Sequence, residues 1–163
     1  MLVIADTSPL IGLIKIECVD VLPRLYGAVV IPSQVAAELT DPKRPALVRA
    51  FMAAPPEWLS TRSPSKLEDI EGIDEGERAA ISLARELNAD LLLIDDNKGR
   101  EAAIARHIPT ARTAALLLDA ANAGALPNLK EAFDKLKATD FRVPVKVLDE
   151  LLKRHEQRKI TGP

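Results

Sequence analysis

Three short runs of apolar residues constrain the fold of this chain more than any other feature of its sequence. They are Leu2 to Ala5, Ala28 to Ile31 and Leu91 to Ile94, and each is apolar at every position. A strand with one face in water alternates apolar and polar residues, whereas a parallel strand covered by helices on both faces is apolar throughout. The runs therefore predict a central parallel sheet buried between helices.

The segments between and after these runs have the periodicity of helices, and a weaker strand is predicted near Pro109 to Arg112. Ser8 and Pro9 open the first helix. Residues 41–72 contain five prolines and are predicted to form loops, with Trp58 as a packing anchor. We expect an α/β fold, a three-layer α/β/α sandwich with a mostly parallel sheet, as one domain over residues 1–163 with a helical extension from about 125. Further helices are predicted at Ser33–Leu39, Ala46–Ala53, Asp74–Asn88, Asn97–His107, Thr113–Ala123, Leu129–Ala138 and Val145–Arg158.

Composition excludes several classes of protein. The only cysteine, Cys18, lies in an apolar stretch and is expected to be an inert buried thiol, so no disulfide forms within the chain. The N-terminus lacks the basic region of a signal peptide, and the longest uncharged run has 13 residues, so we expect a cytoplasmic protein with no membrane span. Aromatic residues make up 3% of the chain, which argues against a platform for stacking single-stranded bases.

The acidic residues occupy informative positions. Asp6 directly follows the first predicted strand, and Asp95 and Asp96 follow the Leu91 to Ile94 strand. The carboxyl ends of parallel strands lie along one edge of a sheet, where ligands bind at the point at which strand order reverses. Glu38 and Glu77 lie on helix faces that otherwise point at the sheet. Carboxylates that meet in one place repel one another unless protons or a cation lie between them, and Mg²⁺ or Mn²⁺ prefers such oxygen ligands.

Each acid also has a structural interpretation. Asp6 can cap the helix that begins near Pro9, and Asp74 with Glu77 fits a capping box. The Asp95 and Asp96 pair is also common in turns. Adjacent residues of a strand point to opposite faces, so only one of this pair is expected to be a direct ligand.

Other chemistries lack the residues that they need. The two histidines, His107 and His155, are expected to be exposed, which leaves no histidine for a triad or a zinc site. No glycine-rich nucleotide loop is present. A phosphatase of the haloacid-dehalogenase type with Asp6 as nucleophile would need a second aspartate two residues on, where the chain has Ser8. An acid-only site with a divalent ion suits phosphodiester hydrolysis instead.

Four segments carry a resemblance to a known family. Ile4 to Ile11, Val35 to Leu39, Asp74 to Ile81, and Leu91 to Asp96 with Arg100 resemble the motifs of PIN-domain ribonucleases in order and spacing. The likeness runs from Met1 to about Ala123, and the tail resembles a little-characterised prokaryotic branch near the VapC-type toxins. The resemblance implies an α/β/α sandwich that binds Mg²⁺ or Mn²⁺ and cleaves single-stranded RNA.

Carried over by position, the resemblance also implies site residues. Thr7 or Ser8 would orient Asp6 or a metal-bound water. For the third acid the chain offers Asp74, Glu75 and Glu77, and we prefer Glu77 because it shares the face of Ile81. For the fourth acid the chain offers both Asp95 and Asp96. The implied catalytic cluster is Asp6, Glu38, Glu77 and Asp96, and the implied metal ligands are Asp6, Asp96 and Glu77 with Asp95 close by.

Basic residues provide candidates for RNA binding. Lys130 to Lys159 contains nine basic and six acidic residues, which fits either a basic flank or a solvated helical face. On the helix after Asp96, the predicted phosphate contacts are Lys98, Arg100 and Arg106.

The leading hypothesis is a metal-dependent endoribonuclease, the toxin of a toxin–antitoxin pair. Its expected partners are an RNA substrate, an antitoxin protein and a second copy of the chain, with Thr113 to Ala123 as a dimer face. The alternative is a non-catalytic PIN-like module that binds RNA or a protein.

Overall fold

Five strands form one sheet in the computed structural model, which describes residues 1–162. The spatial order is β3-β2-β1-β4-β5, and every neighbouring pair is parallel. The strands are β1 (Val3–Ala5), β2 (Val29–Pro32), β3 (Leu59–Arg62), β4 (Leu91–Leu93) and β5 (Thr110–Ala111).

Helices cover both faces of this sheet. The helices are α1 (Thr7–Lys15), α2 (Val21–Tyr26), α3 (Ser33–Leu39), α4 (Ala46–Ala53), α5 (Glu75–Glu86), α6 (Asn97–Ala105), α7 (Thr113–Asn122), α8 (Leu129–Lys137) and α9 (Val145–Thr161). Helices α5 and α6 cover one face, α1, α2 and α7 cover the other, and α8 and α9 pack on α7. The predicted three-layer α/β/α sandwich is confirmed, with a sheet that is parallel throughout.

The pleat of the central strands explains why their sequences are continuously apolar. Val3, Ala5 and Leu93 belong to the core on the α1 and α7 side, whereas Ile4 and Leu92 belong to the core on the α5 side. Successive side chains of a strand point to opposite faces, so a strand covered on both sides needs an apolar residue at every position. None of these five side chains is more than 1% exposed.

The structure corrects the prediction for residues 41–72, where no strand was expected. β3 pairs with β2 from Val29 opposite Leu59 to Pro32 opposite Arg62. Only Leu59 is buried, and the other three residues are exposed at the sheet edge. An edge strand without an apolar run carries no clear periodicity, so the sequence did not reveal it. Trp58 packs on the core beside Phe51, as predicted for a packing anchor.

Two further expectations were wrong. The apolar residues of α7 pack inside the chain, with Leu116 and Leu117 fully buried, so Thr113 to Ala123 does not offer a dimer face. His155 was expected to be exposed, but it is 8% exposed and its Nδ1 lies 2.8 Å from Oδ1 of Asn122. None of the helices in residues 1–162 is long and apolar enough to cross a membrane.

Candidate active site

The candidate site lies where the chain reverses its direction across the sheet. From β1 the chain adds β2 and β3 on one side, then returns to place β4 on the other side of β1. Asp6 follows β1, and its backbone N–H donates to the carbonyl of Leu93 at 2.9 Å. Asp95 and Asp96 follow β4. The acids predicted from strand ends therefore lie along the same edge of the sheet, at its switch point.

Asp6 is the most deeply buried acid of the site. Its side chain is 4% exposed, and α1 begins at the next residue. Burial raises the pKa of Asp6 to about 8, the backbone N–H of Thr7 lowers it, and the nearby charges of Glu77, Asp74 and Glu38 raise it further. The chain thus holds this carboxyl among other acids with no basic side chain to compensate its charge.

Glu38 reaches the site from α3 and is held on two sides. The hydroxyl of Thr7 donates to Oε2 of Glu38 at 2.5 Å. Its carboxylate also lies against Gly76 in the first turn of α5, where a Cβ would overlap Oε1. Glycine leaves room for this contact, and a helix N-terminus is a favourable place for a carboxylate. Thr7 therefore orients Glu38, whereas the sequence had suggested that it orients Asp6 or a metal-bound water.

Glu77 projects from the first turn of α5 towards the start of α6. Asp74 caps α5 by accepting from the backbone N–H of Glu77 at 2.8 Å, which confirms the predicted N-cap. The Cδ of Glu77 lies close to Gly99, at 3.6 Å from where a Cβ would stand. Burial raises the pKa of Glu77 to about 7, together with the charges of Asp74 and Asp96. Glu77 thus faces Asp96 at the start of α6, whereas Asp74, whose charge also raises the pKa of Asp6, uses one carboxylate oxygen to cap α5.

Asp95 and Asp96 have different partners, as expected for adjacent residues. The two oxygens of Asp95 accept from the backbone N–H and the hydroxyl of Thr113, at 2.9 and 2.7 Å. Burial raises the pKa of Asp95, and these bonds lower it. Asp96 caps α6 with only one oxygen, which accepts from the N–H of Gly99 at 2.9 Å. Asp95 therefore anchors α7 to the end of β4, while Asp96 keeps a carboxylate oxygen for another ligand.

We call Asp6, Glu38, Glu77 and Asp96 the acid cluster. Within residues 1–162, no three His, Cys, Asp or Glu side chains have already converged as a metal-binding group. Glu38 instead binds Thr7, and Asp96 binds Gly99. The donors are oxygen atoms only, and two of them have raised pKa values, which fits a hard divalent ion.

A groove of about 820 Å³ opens beside the acid cluster, and of the cluster's four acids Glu77 and Asp96 line it, whereas Asp6 and Glu38 do not. Glu77, Asp95 and Asp96 lie in its wall, together with Ser8 and other residues of α1. It also contains basic side chains from four parts of the chain: Lys15, Lys43, Arg44, Arg112 and Arg142. A polyanion that enters this groove meets positive charge on its way to the acids.

The basic residues predicted to contact phosphate do not line this groove. Arg106 is bound to Glu68 at 2.8 Å and to the carbonyl of Ala102, so its guanidinium is already occupied. Arg100 is half-buried, and Lys98 is exposed on α6. Arg106 is therefore not free to contact phosphate, whereas the predicted role of Lys98 and Arg100 stays a prediction.

The basic residues of the groove were missed by the sequence reasoning, although one of them left a signal. Ser8, Ile11 and Lys15 are spaced as one face of α1, the helix that begins directly after Asp6. That spacing could have placed Lys15 beside the site. Arg142 comes from the loop before α9, and only the tertiary structure brings it to the groove.

The basic tail is mostly a solvated helical surface. Lys130 pairs with Asp134 at 2.8 Å, and Lys137 lies 3.6 Å from Asp149. Of the basic residues from Lys130 to Lys159, only Arg142 lines the groove beside the acid cluster. The alternative of a solvated face therefore describes α8 and α9 better than a basic flank does.

The fold and site define an α/β protein with a carboxylate cluster at the switch point of a parallel sheet. A family model, DUF3368, described as a PIN domain, matches residues 2–157, and the chain belongs to the PIN-domain family. PIN domains are generally nucleases that use divalent metal ions.

A solved structure has a similar fold. It is a PilT N-terminus domain protein from the hyperthermophilic archaeon Sulfolobus solfataricus P2, with a TM-score of 0.57 and 21% sequence identity. The match covers 78% of this chain and 96% of that chain. No curated protein matches the chain significantly.

Proposed function

We propose that this protein is a metal-dependent endoribonuclease that hydrolyses phosphodiester bonds of single-stranded RNA with Mg²⁺ or Mn²⁺. One observation carries the proposal: Glu77 and Asp96 line the same groove as five basic side chains at the switch point of the sheet, and the buried Asp6 lies at the end of the adjacent strand. The acids are suited to a divalent ion, and the bases are suited to the phosphates on either side of the bond to be cut.

The chain assigns different roles to its acids in this reaction. Asp6, Glu77 and Asp96 would hold the ion, which supplies an activated water and stabilises charge on the phosphate oxygens. Asp96 is preferred over Asp95 because both oxygens of Asp95 already bind Thr113. Glu38 completes the cluster, and its bond to Thr7 holds it ready to orient a water.

Two arginines of the groove are held in place by neutral partners. The Nε of Arg44 donates to the backbone carbonyl of Glu38 at 3.0 Å, and Arg112 donates to Oδ1 of Asn97 at 2.5 Å. These bonds limit the motion of the two side chains, and the charge of Arg112 also acts on Asp95, whose pKa it lowers. Such arginines would bind phosphate oxygens at a low entropic cost. With few aromatic residues in the chain, recognition would rest on the RNA backbone.

The biological role is proposed on the resemblance alone. The motifs resemble those of the VapC-type toxins, which supports a cytoplasmic toxin with an antitoxin protein and a second copy of the chain as partners. Since α7 is buried, a homodimer would use another face.

A cleavage assay tests the proposed activity. Labelled single-stranded RNA is incubated with wild type, Asp6→Asn, and the control Asp149→Asn, in Mg²⁺, Mn²⁺ or EDTA. Asp149 is an exposed acid on α9, so its variant has the same change of charge outside the acid cluster. We expect internal cleavage by wild type and by Asp149→Asn only with metal. Asp6→Asn should be slower by roughly 100-fold or more, because the loss of a ligand exceeds the typical loss of a residue that supports one.

Two results would contradict the proposal. Cleavage that persists in EDTA, or an Asp6→Asn variant as active as wild type, would exclude this site as the nuclease centre. RNA binding without turnover in any metal would assign the alternative, a non-catalytic binding module.

A further inference from the structure

One basic side chain of the groove, that of Lys15, is already paired with a carboxylate of the same chain. Lys15 ends α1 on the face that Ser8 and Ile11 present to the groove. Its Nζ lies 2.6 Å from Oδ1 of Asp140. The side chain of Lys15 is only 21% exposed, whereas that of Asp140 is 87% exposed. A largely covered ammonium group therefore meets an acid that reaches it from the solvent side.

The segment that carries Asp140 is packed onto α1. Residues 139–144, here called the strap, join α8 to α9. Within the strap, the ring of Phe141 lies against Gly12, where a Cβ would stand 3.0 Å from two ring carbons. Glycine is unfavourable inside a helix, and at this position it makes room for the ring. The N–H of Phe141 also donates to Oγ1 of Thr139 at 3.1 Å. The contact between Asp140 and Lys15 is thus supported by the packing beside it.

The ion pair itself is easily exchanged. Asp140 is mostly solvated, and exposed ion pairs contribute little to stability because water and salt screen them. A phosphodiester presents the same kind of group to Lys15, an anionic oxygen that accepts charge-assisted hydrogen bonds. It would also interact with Lys43, Arg44, Arg112 and Arg142 in the same groove, which Asp140 alone cannot do.

We propose that Lys15 binds a backbone phosphate of a nucleic acid, and that in the free protein the carboxylate of Asp140 takes the place of this phosphate. Binding of a nucleic-acid strand displaces Asp140 from Lys15, so the strap restrains binding until a chain of phosphates competes with it. The inference deepens the proposed function, because it takes RNA as the polyanion that enters the groove.

If Asp140 competes with RNA for Lys15, substitutions of Asp140 and of Lys15 should change the affinity for RNA in opposite directions. Asp140→Asn frees Lys15 and should strengthen RNA binding by roughly threefold to fivefold at low salt, the fold-change expected for one surface ion pair. Lys15→Ala should weaken binding and lower the salt dependence by about one phosphate contact. In Lys15→Ala, the added Asp140→Asn change should have no effect beyond that of the lost negative charge.

Equilibrium binding separates these effects. The fluorescence anisotropy of a labelled single-stranded RNA is measured in EDTA at several salt concentrations, with wild type, the two single variants and the double variant. Asp149→Asn is the matched control, since it removes an exposed acid that lies 3.6 Å from Lys137 and outside the groove. Gly12→Ala tests the strap without a change of charge. Its Cβ would stand 3.0 Å from two ring carbons of Phe141, so the ring must shift by a few tenths of an ångström, and we expect binding to strengthen less than with Asp140→Asn.

The outcomes distinguish this inference from the proposed function. Equal effects of Asp140→Asn and Asp149→Asn would overturn the inference, as would an Asp140→Asn effect that is as large in Lys15→Ala as in wild type. If wild type cleaves RNA and this binding pattern is absent, the inference alone fails. If the pattern is present and no metal supports cleavage, the phosphate site stands and the proposed nuclease activity fails. Absence of RNA binding by wild type and by Asp140→Asn would also overturn the inference.

Discussion

Glu68 and the acid cluster both lie near α5 and α6, but the side chains that surround them differ. Glu68 accepts from Arg106 at 2.8 Å and from Arg85 at 2.7 Å, and these bonds lower its pKa. Asp6 and Glu77 lie among other acids, and burial raises their pKa values to about 8 and about 7. The chain itself neutralises Glu68, whereas the acid cluster depends on protons or a cation for the same effect.

This difference separates an acid that stabilises the fold from acids that await a ligand. Glu68 joins the loop before α5 to both helices, because its own backbone N–H also donates to Ser82 at 2.9 Å. Arg106 is a partner of Glu68, although its position after Asp96 in the sequence had suggested a phosphate contact. Glu68 and Glu77 are the same type of residue, and the charged side chains around each of them determine whether it stabilises the fold or can bind a ligand.

Neutralising Glu68 and, separately, Glu77 tests whether the two kinds of acid differ in function. Glu77→Gln should slow RNA cleavage by roughly 100-fold or more, because it removes a proposed metal ligand, and should leave the free energy of unfolding unchanged or higher. Glu68→Gln should leave cleavage within about twofold of wild type and lower the free energy of unfolding by about 1 kcal/mol, as expected for partly exposed ion pairs. Cleavage rates and urea unfolding of both variants measure this.

Each variant serves as the control for the other. If Glu68→Gln lost activity as fully as Glu77→Gln while remaining folded, the two kinds of acid would not differ in function. If Glu77→Gln retained full activity, Glu77 would not be a ligand.

A second prediction moves Glu38 without a change in any acid. Gly76→Ala places a Cβ where Oε1 of Glu38 lies, and the flexible glutamate can move away more easily than the helix can. We expect cleavage to fall by about 10-fold, the range found when a residue that supports a metal site is lost. Tm should stay within about 2 °C, because only a flexible side chain is displaced.

The same substitution in a second background provides the control. In Glu38→Ala, Gly76→Ala should cause no further loss of activity. An additive loss there would show that the substitution disturbs α5 itself and not the position of Glu38.

The smallest expected effect is the pH dependence of stability in EDTA. In the folded protein the pKa of Asp6 is raised from 3.8 to about 8, so the folded state holds a proton that the unfolded state has released. Stability is therefore greatest below the unfolded pKa and falls as pH rises towards the folded pKa. We expect Tm in EDTA to fall by a few degrees between about pH 5.5 and about pH 8.5.

Thermal unfolding of wild type and of Asp6→Asn tests whether Asp6 causes the pH dependence of Tm. Asp6→Asn should show a weaker decrease, because it carries no ionisable group at this position. Mg²⁺ should stabilise wild type more at the higher pH, since metal binding requires the deprotonated carboxylates. Wild-type and Asp6→Asn curves with the same pH dependence would show that Asp6 is not the source of the effect.

Much of the fold and part of the site follow from local properties of the chain. The continuous apolar runs at β1, β2 and β4 determined a buried parallel sheet, because a strand covered on both faces has no polar side. The positions of Asp6 and Asp96 directly after strands determined that they share an edge. The edge strand β3 lacks such a run, and only its pairing with β2 reveals it.

The contacts made on folding determine which charged residues are already bound to another group of the chain and which can bind a ligand. Asp95 and Asp96 are neighbours in sequence, yet their partners differ. Both oxygens of Asp95 accept hydrogen bonds from Thr113, whereas one oxygen of Asp96 caps α6. Lys15 and Asp140 are 125 residues apart, and no local pattern joins them. The free energy of a charge depends on the groups within a few ångströms, and folding brings those groups from distant parts of the chain. Local sequence patterns therefore predict the buried sheet and the edge that carries the acids, and the packing of loops and helices sets the hydrogen-bond and ion-pair partners of those acids.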